Sequence, residues 1–552
     1  MLIAVRLVRK GWESISQNGV AVHVRGQAHL GDEYLDTQAL AERFLATALQ
    51  PSNPPNVQTS KPLNLQASNL PALVSSLNGN WAAVVRTSSS AFFAVDHIRS
   101  IQLLYSQEGE NFYVFDDVND FRKEHKLEID EDCAHEYLSS GYVYRNRTLF
   151  KEVYSLQAAE YVVASPIQTS NPPTLQTSST RYWRYVPNIN KPVKTGPELV
   201  KKIDDAFLVA MRRLVESVGD KRIVVPLSGG YDSRLIVNYL YKLGVKNVLC
   251  YTYGSKGNGE SRCSKDVAEK LGYEWHCVEY SPETKREWMT NLALDDCYRY
   301  MCNGTNRPCF QEYFAVKTLR DHGMIDPKKD VVVPGYYFDV LAGSKILRST
   351  CDYTAVTNSL ADENNFFLRK AFRGTNKAIA RTFNEHADIS RKACFETFLW
   401  QERLTKFIVN AVRTYELLGF DWRLPVCDRG LFELWLSMPY SLRIERKYFY
   451  SIFPLLAVQE ILHCPIHGCA TTSLFHRIRH EFGIRVPYSV KYWISHMVGS
   501  KAESFIPVPG LERKMVEERI PSSRCRFVDG MRVNPNAVAS LRSLALMCGG
   551  AN

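Results

Sequence analysis

The stretch RIVVPLSGGYDSRLIVNYL, Arg222 to Leu240, sets the fold. An apolar, β-branched run stops at Ser-Gly-Gly, an acid and a serine follow, and apolar residues at helical spacing begin at once. Ahead of it, GPELVKKIDDAFLVAMRRLVESVGD reads as a long amphipathic helix; after it, NVLCYTYG reads as a strand and ESRCSKDVAEKLG as a helix. Strand and helix alternate, so a doubly wound α/β parallel sheet is expected.

In such a sheet, a Gly-rich turn between the carboxyl end of a strand and a helix N-terminus is an anion site. Unpaired backbone N–H groups collect there and the helix dipole is positive. Gly229 and Gly230 let backbone approach a phosphate, Ser228 and Ser233 carry donor hydroxyls, and Asp232 can hold Mg²⁺. The competing reading is a plain strand-to-helix turn with Asp or Ser as its cap. The complete Ser-Gly-Gly-Tyr-Asp-Ser run favours the site. The pattern GxxxxGK[ST] is missing from this loop, which argues against an ordinary γ-phosphate-transferring loop.

The first 185 residues read differently. GVAVHVRG, NWAAVVRTS, SAFFAVDH, IQLLYSQ, NFYVFDD and YVVAS are short strand-like runs, while LDTQALAERFLATALQ and LPALVSSLNG carry helical spacing. An α+β domain of antiparallel sheets is expected there, closed by the Pro-punctuated linker TRYWRYVPNINKPVKTG. Residues 50–69 and 165–181 nearly repeat each other as SNPP-x-x-QTS, and their Pro, Ser, Asn, Gln and Thr content suggests flexible surface insertions.

A chain of 552 residues exceeds one core, so two domains, 1–185 and 186–552, are expected. The net charge of +10 is spread without a dense basic run, so no nucleic-acid partner is expected. No apolar run approaches the roughly 20 residues of a membrane span and no signal peptide is visible, giving no membrane span and a cytoplasmic location. The 14 cysteines form no CxxC pair and read as reduced thiols. His463, Cys464, His467 and Cys469 have a spacing that permits zinc, but four ligands crowded into one segment rarely close a tetrahedron. Loop packing is preferred and metal binding stays open.

PLSGGYDS resembles the pyrophosphate loop of the ATP pyrophosphatases, and three further stretches narrow the resemblance to the asparagine synthetase-like family. VVVPGYYFDVLAGSK is similar to its G-x-x-x-D-x-x-x-G segment, with Gly335, Asp339 and Gly343 in register. FDWRLPVCDRGLFELWLSMP resembles its E-x-R-x-P-x-x-D block through Asp421, Arg423, Pro425 and Asp428, and LRIERKYFYSIF its lysine segment through Lys447. In the front half, LNGNWAAVVRT, VDHIRSIQLLYS and YLSSGYVYRNRTLFKEVYSL resemble its glutamine amidotransferase domain.

The resemblance implies an N-terminal Ntn-hydrolase-like antiparallel sandwich and a PP-loop, adenine nucleotide α-hydrolase-like domain. It implies ATP held by Leu227, Ser228, Gly229, Gly230, Asp232, Ser233, Tyr253, Gly254, Pro334 and Gly335, and Mg²⁺ held by Asp232 and Asp339. Lys447 and Tyr336 become the catalytic candidates. Activity is then AMP- and pyrophosphate-forming amide synthesis on a small-molecule carboxylate, with ammonia or a substrate amine as nitrogen source, a separate glutaminase being one supplier. Homodimer formation stays open.

Two departures qualify it. The family's glutaminase half begins with a cysteine nucleophile; this sequence begins Met1-Leu2 and its first cysteine is Cys133, so an inactive amidotransferase-like domain is expected. Where the family carries a Glu, this chain has Tyr336, whose phenol would need a depressed pKa to act as a base. That change puts aspartate in doubt as acceptor. A sugar acid or another metabolite carboxylate, or a paralogue without chemistry, are the alternatives.

Overall fold

The computed structural model describes residues 2–50, 69–166, 175–281, 283, 284, 287, 291–344, 346, 375–466, 506–507, 532–533 and 535–548. Its first half is two stacked sheets. Strands β1 (Leu2–Arg6), β7 (Leu104–Glu108), β8 (Asn111–Phe115) and β9 (Val153–Ser155) form one, in the order β1-β8-β7-β9. The other runs β11 (Leu175–Arg181), β10 (Glu160–Pro166), β6 (Ala91–Val95), β5 (Leu77–Arg86), β3 (Val20–Leu30), β2 (Trp12–Gln17), with β4 (Glu33–Leu35) paired to β3.

Alternation along β5 shows how the layers assemble. Ala82 and Val84 face the neighbouring sheet, where Ile3, Phe112 and Val114 meet Phe93 and Val95. Ala83 and Val85 face the other way, onto Leu40, Phe44 and Leu73 from helices α1 (Thr37–Leu49) and α2 (Leu70–Ser76). A period of two places both sets on apolar surfaces. The second outer face, with Leu104 and Phe115, is covered by α3 (Glu131–Ser140) and by Leu541 and Leu544 of a helix near the C-terminus, Pro535–Cys548.

Two expectations need correction. The sheets are not purely antiparallel, because β1 pairs with β8 in parallel, Leu2 opposite Asn111 to Arg6 opposite Phe115. The segment 165–181 is not wholly an insertion: Leu175–Arg181 is β11, seven residues antiparallel to β10, with Leu175 buried at its start. Its polar side chains hid an edge strand whose backbone bonds are intact. Residues 51–68 and 167–174 of those segments lie outside the described residues.

The second half holds a five-stranded sheet, β14-β13-β12-β15-β16, made of β12 (Arg222–Pro226), β13 (Val248–Gly254), β14 (Glu274–Glu279), β15 (Asp330–Val332) and β16 (Asp421–Trp422). Every neighbouring pair is parallel. Helix α4 (Pro197–Val218) precedes β12 and buries Leu199, Ile203, Phe207, Ala210, Met211, Leu214 and Val218, one stripe at three- and four-residue spacing. Helix α5 (Asp232–Lys242) leads from β12 to β13, and the chain later returns to β15 on the opposite side of β12. Strand order therefore reverses between β12 and β15. In open α/β sheets the crevice at such a reversal, beyond the carboxyl ends of the strands, is where ligands bind.

Candidate functional site

Two loops meet at that crevice. After β12 the chain turns through Leu227 to Tyr231 into α5; after β15 it turns through Val333 to Tyr337 into a short helix, α6 (Phe338–Leu341). The loops touch at Gly335. A Cβ there would lie 2.6 Å from the Ser233 amide nitrogen and 2.8 Å from its Cα, so only glycine lets the second loop seat on the start of α5. Gly343 plays the matching part further on: with φ +104°, its Cβ would fall 1.9 Å from the Arg443 carbonyl oxygen.

The first loop is organised by its own serines. The Ser228 amide donates to Ser233 Oγ at 3.0 Å, the Gly230 amide to Ser228 Oγ at 3.2 Å, and the two hydroxyls stand 3.1 Å apart. These hydroxyls occupy N–H groups that a phosphate oxygen could take. Leu227 and Pro334 are buried backbone supports, Leu227 donating its amide to the Tyr251 carbonyl at 2.8 Å.

Asp232 and Asp339 come together across the crevice. The Asp339 amide donates to Asp232 Oδ2 at 2.8 Å, and Ser344 Oγ donates to Asp339 Oδ2 at 2.9 Å. Burial first, and the Asp339 carboxylate second, push Asp232 well above the usual carboxylate range, against the Asp339 amide and the Arg446 charge. Two hard oxygen donors that repel each other suit Mg²⁺, which binds through one or two carboxylates plus substrate phosphates and keeps waters. The described residues contain no cluster of three or more His, Cys, Asp or Glu placed for a metal. His463 and Cys464 are described and Cys464 Sγ is 3.5 Å from Lys270 Nζ, while His467 and Cys469 lie outside the described residues.

Three of the eight non-glycine residues at positive φ among the described residues lie near the crevice. Tyr337 (φ 89°), Glu445 (φ 54°) and Arg446 (φ 59°) are non-glycine residues in the left-handed region, and all three border segments that meet at the crevice. Arg446 caps helix α7 (Lys447–Leu456). Tyr231, between Gly230 and Asp232, packs against Phe449, Tyr450 and Phe453 of that helix. Lys447, its first residue, is exposed and pairs with Glu445 at 3.5 Å.

Tyr336 belongs to a cluster that the sequence did not announce. Its hydroxyl donates to Glu312 Oε1 at 3.0 Å and lies 3.1 Å from the Tyr415 hydroxyl. Tyr415 and Tyr251 donate to Glu312 Oε2, Tyr251 at 3.3 Å, and Tyr253 bonds the same carboxylate. Burial pushes Glu312 up while these hydroxyls hold it down, and burial wins. Burial and the Glu312 charge push the Tyr336 phenol well above its ordinary value, so the depressed pKa needed for a base is not met. Tyr251 and Tyr253 share one face of β13 by the two-residue period, a signal visible in the sequence; Glu312 gave none. Tyr253 also stacks on Tyr280, centroids 5.3 Å apart, and the carbonyl of Gly254 accepts from the Tyr280 amide at 2.7 Å.

The Arg423 block lies elsewhere. Arg423 donates to the Ser217 carbonyl at 3.0 Å and to its Oγ at 3.2 Å. Asp428 accepts from Asn78 Nδ2 and Arg213 Nη1, each at 2.8 Å, so this block ties α4 to β5 rather than lining the crevice.

Residues 202–324 match the family described as Asparagine synthase, a segment that includes the Ser-Gly-Gly loop. Among curated proteins nothing matches. Solved structures similar to the chain include an NH3-dependent NAD synthetase from Campylobacter jejuni in complex with nitrate, 14% identical over 26% of this chain and 59% of that one, TM-score 0.18. An NMN synthetase from Francisella tularensis is 14% identical over 38% of this chain and 93% of that one, TM-score 0.20. The U34-tRNA thiolase NcsA from Methanococcus maripaludis is 13% identical over 55% and 80%, TM-score 0.21. The chain spans about three fifths of the length of the first of these, and at such TM-scores the likenesses carry no weight beyond themselves. Among the described residues no helix is long and apolar enough to cross a membrane.

Proposed function

We propose that the chain is an ATP-dependent ligase that forms an amide on a small-molecule carboxylate, releasing AMP and pyrophosphate. The observation that carries this reading is the pairing of Asp232 with Asp339 over the Ser228–Ser233 loop, at the strand-order reversal of a parallel sheet. The Asparagine synthase match over that loop supports it.

In this reading the acid's carboxylate oxygen attacks the α-phosphorus of ATP, the bond to the bridging oxygen breaks, and pyrophosphate leaves. Ammonia or an amine of the substrate then attacks the acyl carbon, the bond to AMP breaks, and the nitrogen gives up its extra proton to solvent. Ser228, Gly229, Gly230 and Ser233 hold the pyrophosphate, and Tyr253, Gly254 and Gly335 border the nucleotide. Asp232 and Asp339 would hold Mg²⁺, which supplies charge neutralisation for the leaving pyrophosphate. A cation in the turn that leads into α7 balances the remaining charge. Tyr336, tied to Glu312, orients the nitrogen nucleophile through a neutral hydroxyl rather than deprotonating it.

The front sandwich serves as an amidotransferase-like partner domain without glutaminase activity. Its first cysteine, Cys133, is buried, and burial pushes its thiol far from the thiolate a nucleophile needs. Nitrogen then comes from free ammonia, a separate glutaminase or the substrate itself. The acceptor is a carboxylate other than aspartate in the second form of this reading, which the tyrosine at position 336 favours.

The test is pyrophosphate release by the full chain with ATP, Mg²⁺, ammonia and a panel of carboxylic acids, aspartate and uronic acids among them. Acid-dependent release with AMP as co-product is expected. Release of ADP and phosphate, or no nucleotide consumption with any acid, sinks the reading.

A further inference from the structure

We propose that Arg446, not its neighbour Lys447, is the cation that meets the pyrophosphate of a nucleotide in the Ser228–Ser233 loop. The assignment rests on the reading of that loop given above and adds a residue to it. Three observations carry it.

The first is a row of ring contacts that leads from the side chain to the loop. The Arg446 guanidinium lies 5.0 Å over the Tyr450 ring, and the Tyr450 ring is 5.0 Å from the ring of Tyr231, which sits inside the loop between Gly230 and Asp232. A guanidinium held over an aromatic ring still has N–H groups to offer, and its planar fork can bind two phosphate oxygens at once. The second is the contrast with Lys447. Its side chain is 56% exposed and its ammonium pairs with Glu445 at 3.5 Å.

The third is the backbone. Glu445 and Arg446 are consecutive non-glycine residues at φ 54° and 59°, a conformation that glycine adopts without strain. An arginine kept at such a position points to work done by its side chain.

Calorimetric titration of the full chain with magnesium pyrophosphate and with MgATP tests this without needing the acceptor. Arg446→Gly relaxes the left-handed backbone, so its thermal midpoint is expected to equal or exceed that of the wild type while binding weakens about 10- to 100-fold. Arg446→Lys recovers part of the loss, and Lys447→Ala stays within about threefold of wild type, as for other exposed cations. Wild-type binding by R446G, or a K447A loss as large as that of R446G, overturns the assignment. If R446G loses binding while no acid in the panel releases pyrophosphate, Arg446 stands and amide synthesis falls. If the wild-type chain binds neither probe, both fall.

Discussion

Asp96 and Asp232 both lie beyond a buried strand, Asp96 in the turn after β6 and Asp232 at the start of α5, yet the molecule treats them in opposite ways. Asp96 follows β6 and is saturated: the amides of Trp81, Ile98 and Ser100 donate to it at 3.0, 2.9 and 3.2 Å, and Ser100 Oγ adds a further bond. Asp232 receives the Asp339 amide and faces the Asp339 carboxylate. A carboxylate whose lone pairs are all met by protein donors fixes a turn. One that is opposed by a second carboxylate is complete only with a cation. The largest contrast follows. Asp232→Asn should lower acid-dependent pyrophosphate release on the order of 10²- to 10³-fold with an unchanged or raised thermal midpoint, since a repulsion is removed. Asp96→Ala should cost about 3 kcal/mol of stability by stranding buried donors. If D232N unfolds and D96A does not, the two have been assigned the wrong way round.

Asp96 also has a neighbour of opposite habit. Burial pushes Asp96 up to about 6, against its four hydrogen bonds, and burial pushes His97 down to about 4, against its bond to the Cys427 carbonyl at 2.7 Å. Between about pH 4 and 6 folded Asp96 keeps a proton that the unfolded chain has lost, so its contribution falls as pH rises. Folded His97 refuses a proton that the unfolded chain takes below about 6.5, so its contribution falls as pH drops. The two slopes oppose and nearly cancel. Asp96→Asn should therefore leave stability rising by about 3 kcal/mol from pH 4 to 6.5, and His97→Asn should leave it falling by a similar amount. Denaturant unfolding across that range reads the slopes directly; equal slopes in all three proteins would dismiss the pairing.

The contact that brings Asp339 to Asp232 can be broken from its backbone side. Gly335→Ala places a methyl 2.6 Å from the Ser233 amide nitrogen, where backbone rather than a flexible side chain must yield. A stability loss of about 2 kcal/mol is expected, with MgATP binding weakened because the loops separate. An alanine protein with wild-type affinity would show that the crevice does not depend on this approach.

Much of this was legible in the sequence, for physical reasons that also mark its limits. The loop from Ser228 to Ser233 could be read because its chemistry is local: glycines, hydroxyls and an acid between a strand and a helix. Asp339 could be placed only through resemblance, since its partner is 107 residues away. Arg423 entered only as part of a motif, and its place against α4, bonded to the Ser217 carbonyl, could not be read from that motif. Glu312 and Arg446 were missed. The first is recognised only when four tyrosines from β13, the crevice loop and the helix at Arg413–Leu417 converge on it, and the second only when φ at Arg446 is known. β11 was hidden because an edge strand draws its stability from backbone pairing, which polar side chains do not advertise.

Glu312 sharpens the opening comparison, because it is saturated like Asp96 yet tied through Tyr336 to the crevice of Asp232. If its tyrosine shell is purely structural, Tyr336→Phe should cost about 1 kcal/mol of stability, one hydrogen bond of several, and leave catalysis alone. If Tyr336 orients the nitrogen nucleophile, the same substitution should leave ATP–pyrophosphate exchange at its wild-type rate and slow amide formation about tenfold, because the hydroxyl acts after pyrophosphate has left. Measuring exchange and amide formation on one preparation separates the two. A variant slowed equally in both would place Tyr336 with the adenylation step, and the shell around Glu312 would then belong to nucleotide binding.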